Sequence, residues 1–131
     1  MSASDHLSER QFDFEVISRE ALPTPQRGRL YHGSSERIED EFLRPPHETG
    51  VEGRYTHSYE EENEWRGKQV WMDPKPGVAR EWAEEGFEGE LDTYLYEVEP
   101  EGKVGDMGYE GLYAPRARIH KRWMMPSELD S

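Results

Sequence analysis

Alternation of apolar and polar positions with a period of two recurs along this chain, and one segment switches to a helical period. In "FDFEVI", Phe12, Phe14 and Val16 alternate with Asp13 and Glu15, which predicts a short half-buried strand. "ALPTPQRGR" follows with two prolines and a glycine and reads as a loop. "RLYHG" and "KQVWMD" are the next strand candidates. "DTYLYEVEP" is the clearest: Tyr94, Tyr96 and Val98 alternate with Leu95, Glu97 and Glu99 before Pro100 and Gly102 close it. In "PKPGVAREWAEEGF", Val78, Ala79, Trp82 and Ala83 share one face while Arg80, Glu81, Glu84 and Glu85 share the other, so a helix of about three turns is expected, with Pro76 near its start. "ARIHKRW" supplies a last strand, and its alternation puts Arg118, His120 and Arg122 on one face. Residues 1 to 10 read as a flexible N-terminus, 11 to 123 as one domain and 124 to 131 as a tail. From His47 to Lys68 the chain is polar and poor in apolar residues, which predicts a long surface excursion. The pattern as a whole predicts a mixed α+β fold with several short strands and one main helix.

Composition narrows the partners. With 131 residues the chain is long enough for a single core, and 4 Trp, 7 Tyr and 4 Phe supply bulk despite a charged fraction of 34%. The absence of cysteine removes thiolate nucleophiles and thiolate metal sites. No leader-like basic-then-apolar segment opens the sequence and no run approaches a membrane span, so a soluble, cytoplasmic protein without membrane contact is expected. The net charge of -13 is concentrated in residues 31 to 106, where 21 acids face 8 bases. Such a field repels phosphate backbones and disfavours nucleic acid as a partner. The bases that do cluster are Arg116, Arg118, Lys121 and Arg122, which suit either an anionic ligand or charge balance.

Several chemistries drop out on spacing alone. The five histidines show no helical pairing and no His-Glu-x-x-His motif, so no metal site is expected. Phosphate-loop and dinucleotide fingerprints are absent. Ser34 and Ser35 lack the pentapeptide of a nucleophile elbow. What remains is an ordered trio: His32 at the end of one strand, Trp71 in a second, and a carboxylate near a third.

The pieces "LYHGSS", "QVWMD" running into "AREWAEEG", and "YLYEVEPEGKVGD", in that order and followed by a closing strand, resemble the rifampin ADP-ribosyltransferase family within the wider ADP-ribosyltransferase fold. The resemblance covers residues 29 to about 123. It implies a split pair of small twisted sheets with nicotinamide adenine dinucleotide (NAD) between them, and transfer of ADP-ribose to an acceptor with release of nicotinamide. On that resemblance His32 would bond a ribose hydroxyl, the Gly33 backbone would approach the carboxamide, Ser34 would add a hydroxyl, and Trp71, where the family usually has tyrosine, would stack on nicotinamide. Asp106 would stabilise positive charge on the ribose. A register one residue away puts Met107 at that position, and Glu99 or Glu101 would then have to substitute.

The acceptor is not fixed by these motifs, and a protein or a small molecule fits the charge better than nucleic acid. A second reading is a catalytically degenerate module of the same fold that binds a protein in a larger assembly. Each site residue also has a structural alternative: His32 as a strand-end histidine bonded to backbone, Trp71 as core, and Asp106 as a solvated turn acid. Trp82 reads as core, and the acidic run at residues 60 to 64 as a solvated loop.

Overall fold

A computed structural model of the chain describes residues 13 to 45, 68 to 84, 90 to 108 and 111 to 127. The expected flexible N-terminus, nearly all of the 47 to 68 excursion with its acidic run, and the final residues of the expected tail lie outside the described residues. Among the described residues the fold is α+β, with two small open sheets and one helix.

The chain order is β1 (Glu15–Val16), β2 (Leu30–Ser34), β3 (Phe42–Leu43), β4 (Val70–Met72), α1 (Pro76–Glu84), β5 (Thr93–Glu101), β6 (Gly105–Asp106), β7 (Leu112–Ala114) and β8 (Arg116–Met125). The larger sheet runs β1-β8-β5-β2, with β3 also on β8, and the smaller runs β4-β7-β6. Its backbone is the long β5·β8 pair, antiparallel from Thr93↔Met125 to Glu101↔Arg116. Helix α1 starts where local chemistry dictates. Asp73 Oδ1 accepts from the Lys75 amide at 2.8 Å, the Lys75 carbonyl accepts from Val78 and Ala79, and Pro76 takes the first helical position, where no amide hydrogen is needed.

Two cores result, one on each face of β5. Leu95 joins Tyr31, Ala79, Trp123 and Met125 under the helix, while Tyr96 and Val98 join Leu43, Val70, Met72, Ala114, Ala117 and Ile119 between the two sheets. Burial of each large apolar side chain here stabilises the fold by roughly 1.5 to 3 kcal/mol. β5 is thus covered on both sides over much of its length, whereas alternation alone had predicted one apolar face. Arg19 closes the helix side: its guanidinium donates to Glu84, to the Pro126 and Leu91 carbonyls and to the Thr93 hydroxyl, joining the helix end to the Thr93↔Met125 end of the β5·β8 pair.

Three local departures from the sequence pattern have physical causes. β8 continues through Met124 and Met125, with Met125 fully buried, because β5 offers partners as far as Thr93, so the folded chain extends past residue 123. The register shifts between Glu97 and Val98, where Lys121 and Ile119 are the successive partners, so His120 is an extra residue on β8. That bulge reverses the alternation and separates Arg118, exposed on one face beside Glu101, from Arg122, buried on the other beside Tyr96. The expected common face for Arg118 and Arg122 is therefore corrected. β1 is only two residues long and Val16 is 62% exposed, so this edge strand is not half-buried as its alternation predicted.

Candidate functional site

His32, Gly33, Ser34 and the Trp71 backbone lie at the junction of the two sheets, and Asp106 lies on the outermost strand of the smaller one. β2 is the outer strand of the larger sheet, paired with β5 from Leu30↔Val98 to Ser34↔Tyr94. Its other edge touches β4 through a single bridge: the Tyr31 amide donates to the Asp73 carbonyl at 2.8 Å and the Asp73 amide to the Tyr31 carbonyl at 2.9 Å. In an antiparallel ladder the next such rung lies two residues on, between Gly33 and Trp71. That rung is not made. Instead His32 Nδ1 lies 2.7 Å from the Trp71 carbonyl oxygen, and because a carbonyl only accepts, Nδ1 carries the proton and donates.

This one bond fixes the histidine's chemistry. With its proton on Nδ1, neutral His32 presents a bare Nε2 as an acceptor. Burial pushes the imidazole below its ordinary pKa, outweighing the opposing effect of the bond to Trp71, so the neutral ring is favoured. The ring lies 6.2 Å from that of Tyr96, its cross-strand partner on the same face. Tyr96 in turn pins the segment after β2, donating to the Glu36 carbonyl at 2.9 Å and accepting from the Ile38 amide at 2.7 Å. Ser34 adds to the same turn, its Oγ accepting from the Glu36 amide at 2.9 Å.

Gly33 has two separate roles in this geometry. By strand parity its N–H and C=O point to the same outer edge as those of Tyr31, beyond the last rung, and among the described residues nothing bonds them. The direction its side chain would take is filled by the helix: a Cβ there would sit 2.1 Å from the Ala79 carbonyl oxygen and 2.9 Å from Ala83 Cβ. Glycine at this position is thus accounted for by close helix packing, independently of any ligand.

Trp71 meets His32 through its backbone. Its indole leaves from the face opposite to buried Met72 and packs on Tyr113 with ring centroids 5.3 Å apart. Tyr113 lies over Gly105, where a Cβ would come within 2.0 Å of the ring. Asp106 lies on the outermost strand of the smaller sheet, in register with Leu112, so two strand spacings separate it from β4. Its carboxylate accepts from the Gly108 amide at 2.7 Å and closes a local turn. The junction therefore unites His32, Gly33, Ser34 and the Trp71 carbonyl, while Asp106 stands apart on β6. Glu99 and Glu101, the other acids considered, pair elsewhere: Glu99 with His120 and Arg29, Glu101 with Arg116 and Arg118. Tyr96 is the residue the sequence reading left out of the site, and its alternation with Tyr94 and Val98 in "YLYEVEP" was the available signal.

A shallow groove of about 400 Å³ lies against β8, lined by residues such as Phe14, Glu15, His120 and Lys121, with neither His32 nor Trp71 in its lining. Among the described residues no three acidic or histidine side chains gather as metal ligands, and no helix is long and apolar enough to cross a membrane. No family model matches this chain, no curated protein matches it, and no solved structure matches it.

Proposed function

We propose that the junction between β2 and β4 binds NAD as a substrate and that the chain transfers ADP-ribose to an acceptor, as the motif resemblance implies. The observation that carries this reading is the unmade Gly33–Trp71 rung. It leaves a backbone donor and acceptor side by side on an open edge, a pairing that complements a carboxamide, next to a neutral histidine whose Nε2 can accept from a hydroxyl. In the reaction the bond between nicotinamide nitrogen and ribose carbon breaks, its electron pair leaves with nicotinamide, and the acceptor's nucleophilic atom bonds the ribose carbon and gives up its proton. Positive charge on the ribose in the transition state calls for a nearby carboxylate.

Placement of Asp106 on the outer strand, engaged in its own turn, favours a second reading in which the module binds NAD or a protein without transfer. One experiment separates the two. The full chain is titrated with NAD by calorimetry and then assayed for free nicotinamide, alongside His32→Ala and Asp106→Ala. Binding and release that both fall in His32→Ala support transfer at the junction, and loss of release with binding retained in Asp106→Ala assigns the carboxylate. Binding without release supports the degenerate module. No heat with millimolar NAD overturns the NAD reading.

A further inference from the structure

We infer that His32 is a positioning residue whose imidazole keeps the two sheets apart, by occupying the carbonyl that Gly33 would otherwise bond. Tyr31 and Asp73 exchange both backbone bonds, so the N–H and C=O of Gly33 and of Trp71 point toward one another's strand. β4 is held in place from its other side by pairing of Val70, Trp71 and Met72 with β7, and β2 by its full ladder with β5. Both strands are therefore set to extend the contact, and nothing in residue type forbids it, since glycine and tryptophan both adopt extended backbone.

What intervenes is a side chain. His32 Nδ1 holds the Trp71 oxygen at 2.7 Å, shorter than either bond of the Tyr31–Asp73 rung, and the ring is braced from behind by Tyr96. The carbonyl is thereby satisfied without Gly33, and the two strands diverge one residue pair after they meet. Protonation does not release this contact, because the imidazolium still donates through Nδ1. The split is thus encoded by one residue in β2, and removal of its donor should let the ladder run on to Gly33 and Trp71.

Amide hydrogen exchange at Gly33, followed by NMR in the full chain without ligand, reads this directly, so the result stands apart from whether NAD binds. In the wild type the Gly33 amide should exchange far faster than its ladder-bonded neighbours on β2 and β5. His32→Ala should slow it by roughly tenfold, the scale of one gained backbone hydrogen bond. His32→Asn places its amide nitrogen where Nδ1 lies, keeps the donor, and should leave Gly33 as fast as in wild type. Should His32→Ala fail to fold, His32→Leu fills the volume against Tyr96 without a donor and should show the same slowing. Unchanged Gly33 exchange in a folded Ala or Leu variant, or equal slowing in the Asn variant, overturns the inference.

Discussion

The two edges of β2 differ although they belong to the same five residues. Toward β5 the strand makes an uninterrupted ladder from Leu30 to Ser34, and beneath it Gly33 lets α1 come within packing distance. Toward β4 it makes one rung at Tyr31 and then parts, with the His32 side chain taking the next carbonyl. Backbone pairing and apolar burial govern the first edge; a single polar side chain governs the second. The difference teaches that an open edge can be produced inside a small fold without a proline or a charged edge residue, by satisfying the neighbour's carbonyl from a side chain.

Gly33 stands on both edges, and substituting it gives the largest expected effect. In Gly33→Ala the new methyl would meet the Ala79 carbonyl oxygen at 2.1 Å, a backbone atom that moves only with the helix. Destabilisation by about 3 kcal/mol is expected from such overpacking, measured as a lower urea midpoint. A loss under 0.5 kcal/mol, the scale of surface substitutions, would show that the closed edge is less tightly packed than the distances imply.

Tyr96, across the closed edge from His32 on β5, should matter less. Tyr96→Phe keeps the ring but removes the hydroxyl that accepts from Ile38 and donates to Glu36, at a cost of roughly 1 to 2 kcal/mol. Exchange at the Ile38 amide should accelerate while the β5·β8 ladder stays protected. If the Ile38 amide is no faster, the segment after β2 is held by something other than Tyr96, and the bracing of His32 must be sought elsewhere.

How much of this was legible beforehand follows the same division. α1, β5 and β8 announced themselves because their apolar positions repeat at helix or strand spacing over several residues, and β2 and β4 as short apolar runs beside turn residues. β6 and β7 did not, since "GD" and "LYA" are too short to show a period and depend on each other for pairing. The bulge at His120 was invisible for a related reason: alternation carries no mark of a register shift, so Arg118 and Arg122 were placed together. His32, Gly33 and Trp71 could be named from the order of their motifs, and they do meet at one junction. That Trp71 contributes its carbonyl, and that Gly33 is small for the helix, required knowing which strands are neighbours. Asp106 was named from distance along the chain, which says nothing about how many strands lie between.

The smallest effect tests the open edge through pH. Burial makes folded His32 hold its proton less tightly than the unfolded imidazole, despite the opposing bond to Trp71. Between the lowered folded value and the unfolded value of about 6.5, the unfolded chain binds more protons than the native one. Stability therefore rises as pH increases through that window and is lost as pH falls below about 6.5. His32→Asn keeps the donor and cannot titrate, so the wild type should lose ground to it on acidification, read as the difference between their Tm values from about pH 8 to 5. Glu99, held below the usual carboxylate range by its bond to His120 and by Arg29, titrates in both chains and cancels in that difference. A difference that stays constant with pH would mean that the imidazole at the junction is as well solvated as in the unfolded chain, and the open edge would then be wetter than its packing against Tyr96 implies.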